Sequence, residues 1–404
     1  MKSMPALLVC LMLLQSCSVE QHVAASSEKL QNQYSGIEAW NKLPVRTITW
    51  KQALAMMKAN NLEYLRMQQA ISKSERQETY IYTDLIPGVS YYSYFTRSLG
   101  DLTNNLHSED FVHDVNISFY LPTLTQLPYR VYAAKASTFA SIKALEAKER
   151  EHISKLYLLQ RTHSLSVKEK ELNARNPEKK PDYLLKASDT EIKKWHETAS
   201  LLGDYSARWQ ILPSSVPKFN WARYKKIAGR LDELTVCMFA MELEKVRLSQ
   251  YSVALNYLPT VNTSLYSPSL FSSTGGTYSG TFLDSDDTKL NLGISYSLDT
   301  DLKNWNTYCD SKELYQLAKK ETLSKMIKLK HTLDTLRQSM DEYYAWRSFM
   351  HKRMEHLRST PTMSAEDFLE SEKTLFGMES ELINQEKASL ESEAALIQQY
   401  GILQ

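Results

Sequence analysis

Beyond a short apolar run at its start, the 404-residue sequence has no stretch near the ~18 apolar residues that a membrane-spanning helix needs. Any membrane crossing in the rest of the chain must therefore be made by strands. Glycine and proline are scarce, at 11 and 12. That argues against a chain of short elements and tight turns and favours long regular ones. An excess of one charge is also missing, since 48 basic residues face 47 acidic ones. There is no basic surplus for nucleic acid and no acidic tail. No Gly-rich phosphate loop, Gly-X-Ser-X-Gly or Cys-X-X-Cys occurs. The nine histidines are scattered, and His351 and His356 are not at the spacing of four that helical metal pairs prefer. These absences predict no enzyme, no cofactor and no metal site.

What is present is a plan used twice. From Thr49 to Leu85, apolar residues recur at threes and fours (Ala53, Leu54, Met57, Leu62, Leu65), the mark of a helix. It runs into Leu85-Ile86-Pro87, then a strand-like run from Gly88 to Phe95, a polar loop, and strict alternation from Asp114 to Leu121. A long helical pattern begins near Tyr129. The order then returns. A helix is expected over Arg223 to Asn256, then Tyr257-Leu258-Pro259, a strand from Thr260, a loop rich in Ser, Gly, Thr and Asp, alternation from Lys289 to Leu298, and a long helix from near Leu302. Pro259 follows Pro87 at nearly the spacing at which Ser295 follows Ser118, which is a repeat signal.

The strands and helices indicate what the repeat builds. Val115, Ile117, Phe119 and Leu121 alternate with Asp114, Asn116, Ser118 and Tyr120. Leu290, Leu292 and Ile294 alternate with Asn291, Gly293 and Ser295. A half-buried soluble sheet fits any one of these strands. Their length, about 8–10 residues, is also what a tilted strand needs to cross a bilayer, with small polar groups facing a wet lumen. The 24 tyrosines suit a barrel wall or an ordinary surface equally well. Four strands cannot close a barrel, and open edges are not tolerated in lipid, so several chains would have to share one. In the last long helix, Met326, Leu333, Met340 and Met354 form one seam. Leu329, Leu336, Tyr343, Met350 and Leu357 form a second, and only Arg347, in the first, breaks the pattern. This is an a/d heptad pattern in a helix of about 55 residues, on the order of 80 Å long. Met350, Met354 and Met363 have the chemistry of a soft-metal set, but the first two belong to the seams, so core packing explains them. A return helix from about Ser364 to Tyr400 carries Phe368, Leu375, Leu382 and Leu396 at sevens, with small residues at Ala388, Ser389, Ser392 and Ala395. Cys237 and Cys309 are expected as free buried thiols.

Two resemblances complete the reading. Leu14-Gln15-Ser16-Cys17, after the apolar run Ala6 to Leu14, resembles the lipobox of bacterial lipoproteins. It implies cleavage before Cys17 and acylation there, with Ser18 favouring the outer membrane. A plain secretory signal with an incidental cysteine is the alternative. The twofold order of helix, Leu-X-Pro, strand, loop, strand, long helix, tip and return helix resembles the TolC-like outer-membrane efflux family from about Thr49 to Gly401. That resemblance implies a homotrimer in which each chain gives four transmembrane strands to a twelve-stranded barrel and long coiled-coil hairpins to a periplasmic tunnel. Asp367-Phe368-Leu369-Glu370 then Lys373-Thr374-Leu375 looks like the family's acidic tip, implying that Asp367 and Glu370 line the periplasmic aperture. A solvated helix start accounts for the same acids. Asp182-Tyr183-Leu184-Leu185 looks like the first repeat's tip, with Leu185 where a second acid would stand and Pro177 and Pro181 interrupting it. Leu212 to Phe219 looks like the family's irregular girdle.

The fold expected is mainly α with membrane β. The division is a lipoprotein signal peptide over 1–16 and a lipid-anchored linker over 17–48. A first repeat covers 49–222, with strands at about 88–95 and 114–121, and a second covers 223–404, with strands at about 260–266 and 289–298. The implied role is the outer-membrane channel of a tripartite export system, a passive duct for small molecules. Its partners would be a periplasmic adaptor, an inner-membrane pump and outer-membrane lipid. A duct for protein secretion, or a periplasmic coiled-coil lipoprotein without a pore, are the alternatives.

Overall fold

The computed structural model describes residues 23–32, 43–83, 88–95, 111–120, 122–175, 184–255, 260–267, 289–295, 302–359 and 365–401. Helix dominates. After α1 (23–32) and β1 (Val45–Ile48) come α2 (Trp50–Asn60) and α3 (Leu62–Thr83), then β2 (Gly88–Phe95), β3 (Phe111–Tyr120) and α4 (Pro122–Ala174). Next are α5 (Leu184–Leu202), β4 (Arg208–Ile211), α6 (Trp221–Tyr224) and α7 (Glu233–Leu255). The chain ends with β5 (Thr260–Ser267), β6 (Lys289–Ser295), α8 (Lys303–Ser359) and α9 (Ala365–Tyr400). No helix among the described residues is long and apolar enough to cross a membrane.

The chain divides into two compact units. One takes residues 1–65, 148–227 and 337–404, the other 66–147 and 228–336. These units cut across the linear halves of the repeat.

In the first unit, β1 pairs in parallel with β4, Val45 opposite Arg208 through Ile48 opposite Ile211. The sequence reading missed both strands. Trp50, Trp195, Trp209 and Trp221 are buried in this unit. Two of their indoles are satisfied by backbone, Trp195 Nε1 donating to Ala207 O at 3.0 Å and Trp209 Nε1 to Asp204 O at 3.1 Å. Thr49 and Gln52 form a reciprocal capping box at the start of α2. The helix expected from Thr49 to Leu85 breaks at Asn61. There the Asn61 Oδ1 accepts from the Glu63 and Tyr64 amides at 3.0 and 3.2 Å, so the side chain starts a new helix rather than continuing the old one. On α8 and α9, Met350, Met354 and Met378 form a buried cluster with Trp346, Leu357, Leu375 and Leu382 against it. Met350 and Met354 of the seams are thus core.

The second unit holds a four-stranded antiparallel sheet in the order β2-β3-β5-β6. β3 starts at Phe111, three residues before the alternation read from the sequence. The helix expected from Arg223 is corrected: Gly229, at φ 85, lies between α6 and α7, and α7 starts only after Asp232 caps the Leu234 amide at 3.1 Å. Helix α4 starts at Pro122 rather than near Tyr129 and takes Pro128 inside it, Pro122 standing where a missing N–H costs nothing. Cys237 and Cys309 are free but half-buried, not buried; Cys309 lies off both heptad seams.

Candidate functional site

The sheet's register sorts its residues into two sets. Residues opposite one another in an antiparallel pair, or two apart along a strand, belong to one face. Val89 lies opposite Ile117, Ile117 opposite Leu265, and Leu265 opposite Leu290. Val115, Phe119, Val261, Leu292 and Ile294 fall on that same face. The other face takes Gly88, Ser118, Ser264 and Asn291 as one row and Ser90, Asn116, Tyr266 and Lys289 as the next. One face is therefore mainly apolar, though Ser93, His113, Thr263 and Ser267 also fall on it, and the other is mainly polar. The sheet is open: among the described residues β2 and β6 each pair on one side only.

The tip acids sit where α9 begins. Asp367 and Glu370 are both exposed in its first turns, one helical turn apart, as are Phe368 and Leu369. Phe368 was expected to continue the α9 seam but is 50 % exposed, so the seam closes only from Leu375 onward. Cys17 and Asp182 lie outside the described residues, as does Met363.

Three solved structures share the arrangement of elements along the chain. VceC, an outer membrane protein from Vibrio cholerae, is 13 % identical over 86 % of this chain and 94 % of its own, with a TM-score of 0.54. A membrane protein from Pseudomonas aeruginosa is 12 % identical over 86 % and 92 %, at 0.53. The CmeC outer membrane channel of Campylobacter jejuni is 14 % identical over 87 % and 85 %, at 0.51. The chain has the TolC-like outer-membrane channel fold. At these identities the likeness is one of fold, and it runs nearly the full length of both partners. No protein-family model and no curated protein matches the sequence.

Within the TolC-like fold, this chain carries a polar layer that the heptad reading passed over. On α9, Glu386 and Glu393 are buried at 6 % and 3 % exposure. The Tyr157 hydroxyl of α4 donates to Glu393 Oε2 at 2.6 Å, and the Tyr344 hydroxyl of α8 donates to Oε1 at 3.3 Å. Arg161 Nη2 donates to Glu386 Oε1 at 2.7 Å, and the Ser154 hydroxyl donates to Ala394 O at 2.7 Å. Burial pushes the Glu393 carboxyl above the usual carboxylate range, against the pull of the Tyr157 hydrogen bond and the Arg161 charge, with neighbouring Glu386 adding to the rise. Burial likewise pushes the Tyr157 and Tyr344 hydroxyls well up, with the Glu393 charge acting the same way. A signal for this layer was in the sequence. Leu382, Glu386, Ser389, Glu393 and Leu396 fall at alternate spacings of four and three, so two acids occupy seam positions where apolar residues are expected.

Proposed function

We propose that this chain is the outer-membrane component of a tripartite export system, a homotrimer forming a passive duct for small molecules. Its four strands would be one third of a twelve-stranded barrel, and its helices would extend the duct into the periplasm toward an adaptor and an inner-membrane pump. Acylated Cys17 would anchor each chain to the outer membrane. Asp367 and Glu370, with Asp182 from the first repeat's tip, would ring the periplasmic mouth.

The observation that carries this reading is the sheet. It has one mainly apolar and one mainly polar face and, among the described residues, two edge strands that pair on one side only and no helix long and apolar enough to cross a membrane. A two-faced sheet of this kind suits a wall between lipid and water. Its open edges expose backbone groups that lipid cannot satisfy, so closure must come from further copies. The fold shared with outer membrane channels supports the same conclusion. A coiled-coil lipoprotein without a pore has no use for such a sheet.

Native mass spectrometry in detergent, together with planar-bilayer recording, tests the proposal. The expected result is a trimer with a stable ohmic conductance. A monomer of full strand content that conducts nothing would overturn it.

A further inference from the structure

Two buried donors, on residues that line one cavity, have nothing to bond. Gln160 is only 7 % exposed, and its Nε2 has no hydrogen-bond partner; the buried Nε of Arg161 has none either. Both side chains belong to α4. The cavity, of about 230 Å3, is completed by Lys194 of α5, Gln210 of β4 and the loop through Pro213 and Lys218. All of this lies within the first unit.

The lining has a sign. Arg161, Lys194 and Lys218 contribute to it, and no carboxylate lines the cavity among the described residues. Arg161 is already neutralised through its Nη2 by Glu386. The Lys218 side chain is exposed and has no ion-pair partner among the described residues. Water could fill the space, since a water molecule occupies about 30 Å3 of liquid. Water does not explain why cationic groups and orphaned N–H donors share a cavity without an acid. An amide N–H, a guanidinium N–H and an ammonium around one cavity are the chemistry that recognises an oxyanion.

We propose that this cavity binds a small soluble oxyanion, of phosphate or carboxylate type, through Gln160 Nε2, Arg161 Nε and the Lys218 ammonium. The Gln160 amide and Arg161 Nε fix the oxygens in place, and Lys218 at the rim supplies the attraction. This site is independent of the channel reading, and the failure of either leaves the other standing.

Isothermal titration of the full-length protein in detergent, at low ionic strength, tests it with inorganic phosphate in one arm and succinate in the other. At least one anion should bind, and the tighter arm names the source of the oxyanion. Lys218→Glu should weaken that binding by about tenfold or more, as loss and reversal of a charged contact does. Gln160→Leu should weaken it too. If Gln160→Leu fails to fold, the exposed Lys218 variant decides the matter alone. Absence of binding in both arms, or binding that Lys218→Glu leaves unchanged, would overturn the proposal and leave a cavity that holds water.

Discussion

Replacing Glu393 separates the cost of a buried charge from the value of its hydrogen bonds. Two hydroxyls, of Tyr157 and Tyr344, donate to this carboxylate, and all three groups are buried or nearly so. Glu393→Leu removes the acceptor and leaves both hydroxyls without it. Each orphaned buried hydroxyl costs about 1–3 kcal/mol, so the variant should lose about 2–6 kcal/mol in total. At about 2 °C per kcal/mol for a chain of this size, the melting midpoint should fall by several degrees. Glu393→Gln keeps an acceptor and removes the charge. Because burial raises the folded-state carboxyl above its unfolded value, the folded protein binds that proton more tightly than the unfolded chain does. The resulting stability is complete below the unfolded pKa and is lost as pH rises through the folded one. The Gln side chain mimics the protonated form at every pH. The parent and Glu393→Gln should therefore melt together at pH 4, and Glu393→Gln should melt higher at pH 8. Circular dichroism melts in detergent at the two pH values read both differences. If Glu393→Gln loses as much as Glu393→Leu at pH 8, the charge is itself stabilising through Arg161, and the argument from burial is wrong.

Three further outcomes are expected. Asp367→Asn with Glu370→Gln should raise conductance and reduce cation preference, most at low salt, because the Debye length is already about 10 Å at 0.1 M; unchanged recordings at low salt would make these acids a solvated helix start and nothing more. Gly203→Ala should destabilise more than Gly401→Ala in the same melts. Both glycines have φ near +70°, a conformation costing an L-residue about 1–2 kcal/mol, but a Cβ at Gly203 would run into the backbone carbonyl of Asn60, whereas at Gly401 it meets the movable Arg150 side chain. Mass spectrometry of the N-terminal peptide should find an acylated Cys17, and an unmodified peptide starting elsewhere would remove the lipoprotein anchor from the proposal.

The parts of this fold that sequence revealed are those with long periodicity. The α8 seams recur over enough heptads that every seam position from Met326 to Leu357 is buried or half-buried, Arg347 included, whose guanidinium lies 5.9 Å from the Tyr344 ring centroid. Strands β3 and β6 were visible because apolar and polar residues alternate along them, and β2 and β5 because each follows a Leu-X-Pro and precedes a polar loop at the same place in the repeat. Strands β1 and β4 were not. Each is four residues long, too short to show a period, and each finds its partner some 160 residues away in the chain. The break at Asn61 depends on a side chain reaching the next two amides, which competes with helix locally and leaves the apolar spacing on either side intact. At the candidate mouth, a spacing of three placed Asp367 and Glu370 together, but exposure at a helix start is common to a gate and to an ordinary cap. Spacing alone does not separate the two.

The buried acids bear on a weakness of long heptad helices. An apolar seam repeats every seven residues, so sliding one helix along another by a heptad restores nearly the same contacts, and hydrophobic burial alone specifies register poorly. The α9 seam breaks that degeneracy twice, at Glu386 and Glu393, and each acid meets a different partner on α4: Arg161 for the first, Tyr157 for the second. A slip of one heptad would leave an acid beside the wrong group or none, and stranding one member of a buried pair costs about 3–5 kcal/mol. Against a total stability of only about 5–15 kcal/mol, that is enough to exclude the slipped arrangement. The same layer lowers stability at neutral pH by burying a charge on Glu393. We infer that the chain retains this cost because it sets the register of α9 against α4, which an all-leucine seam would leave free.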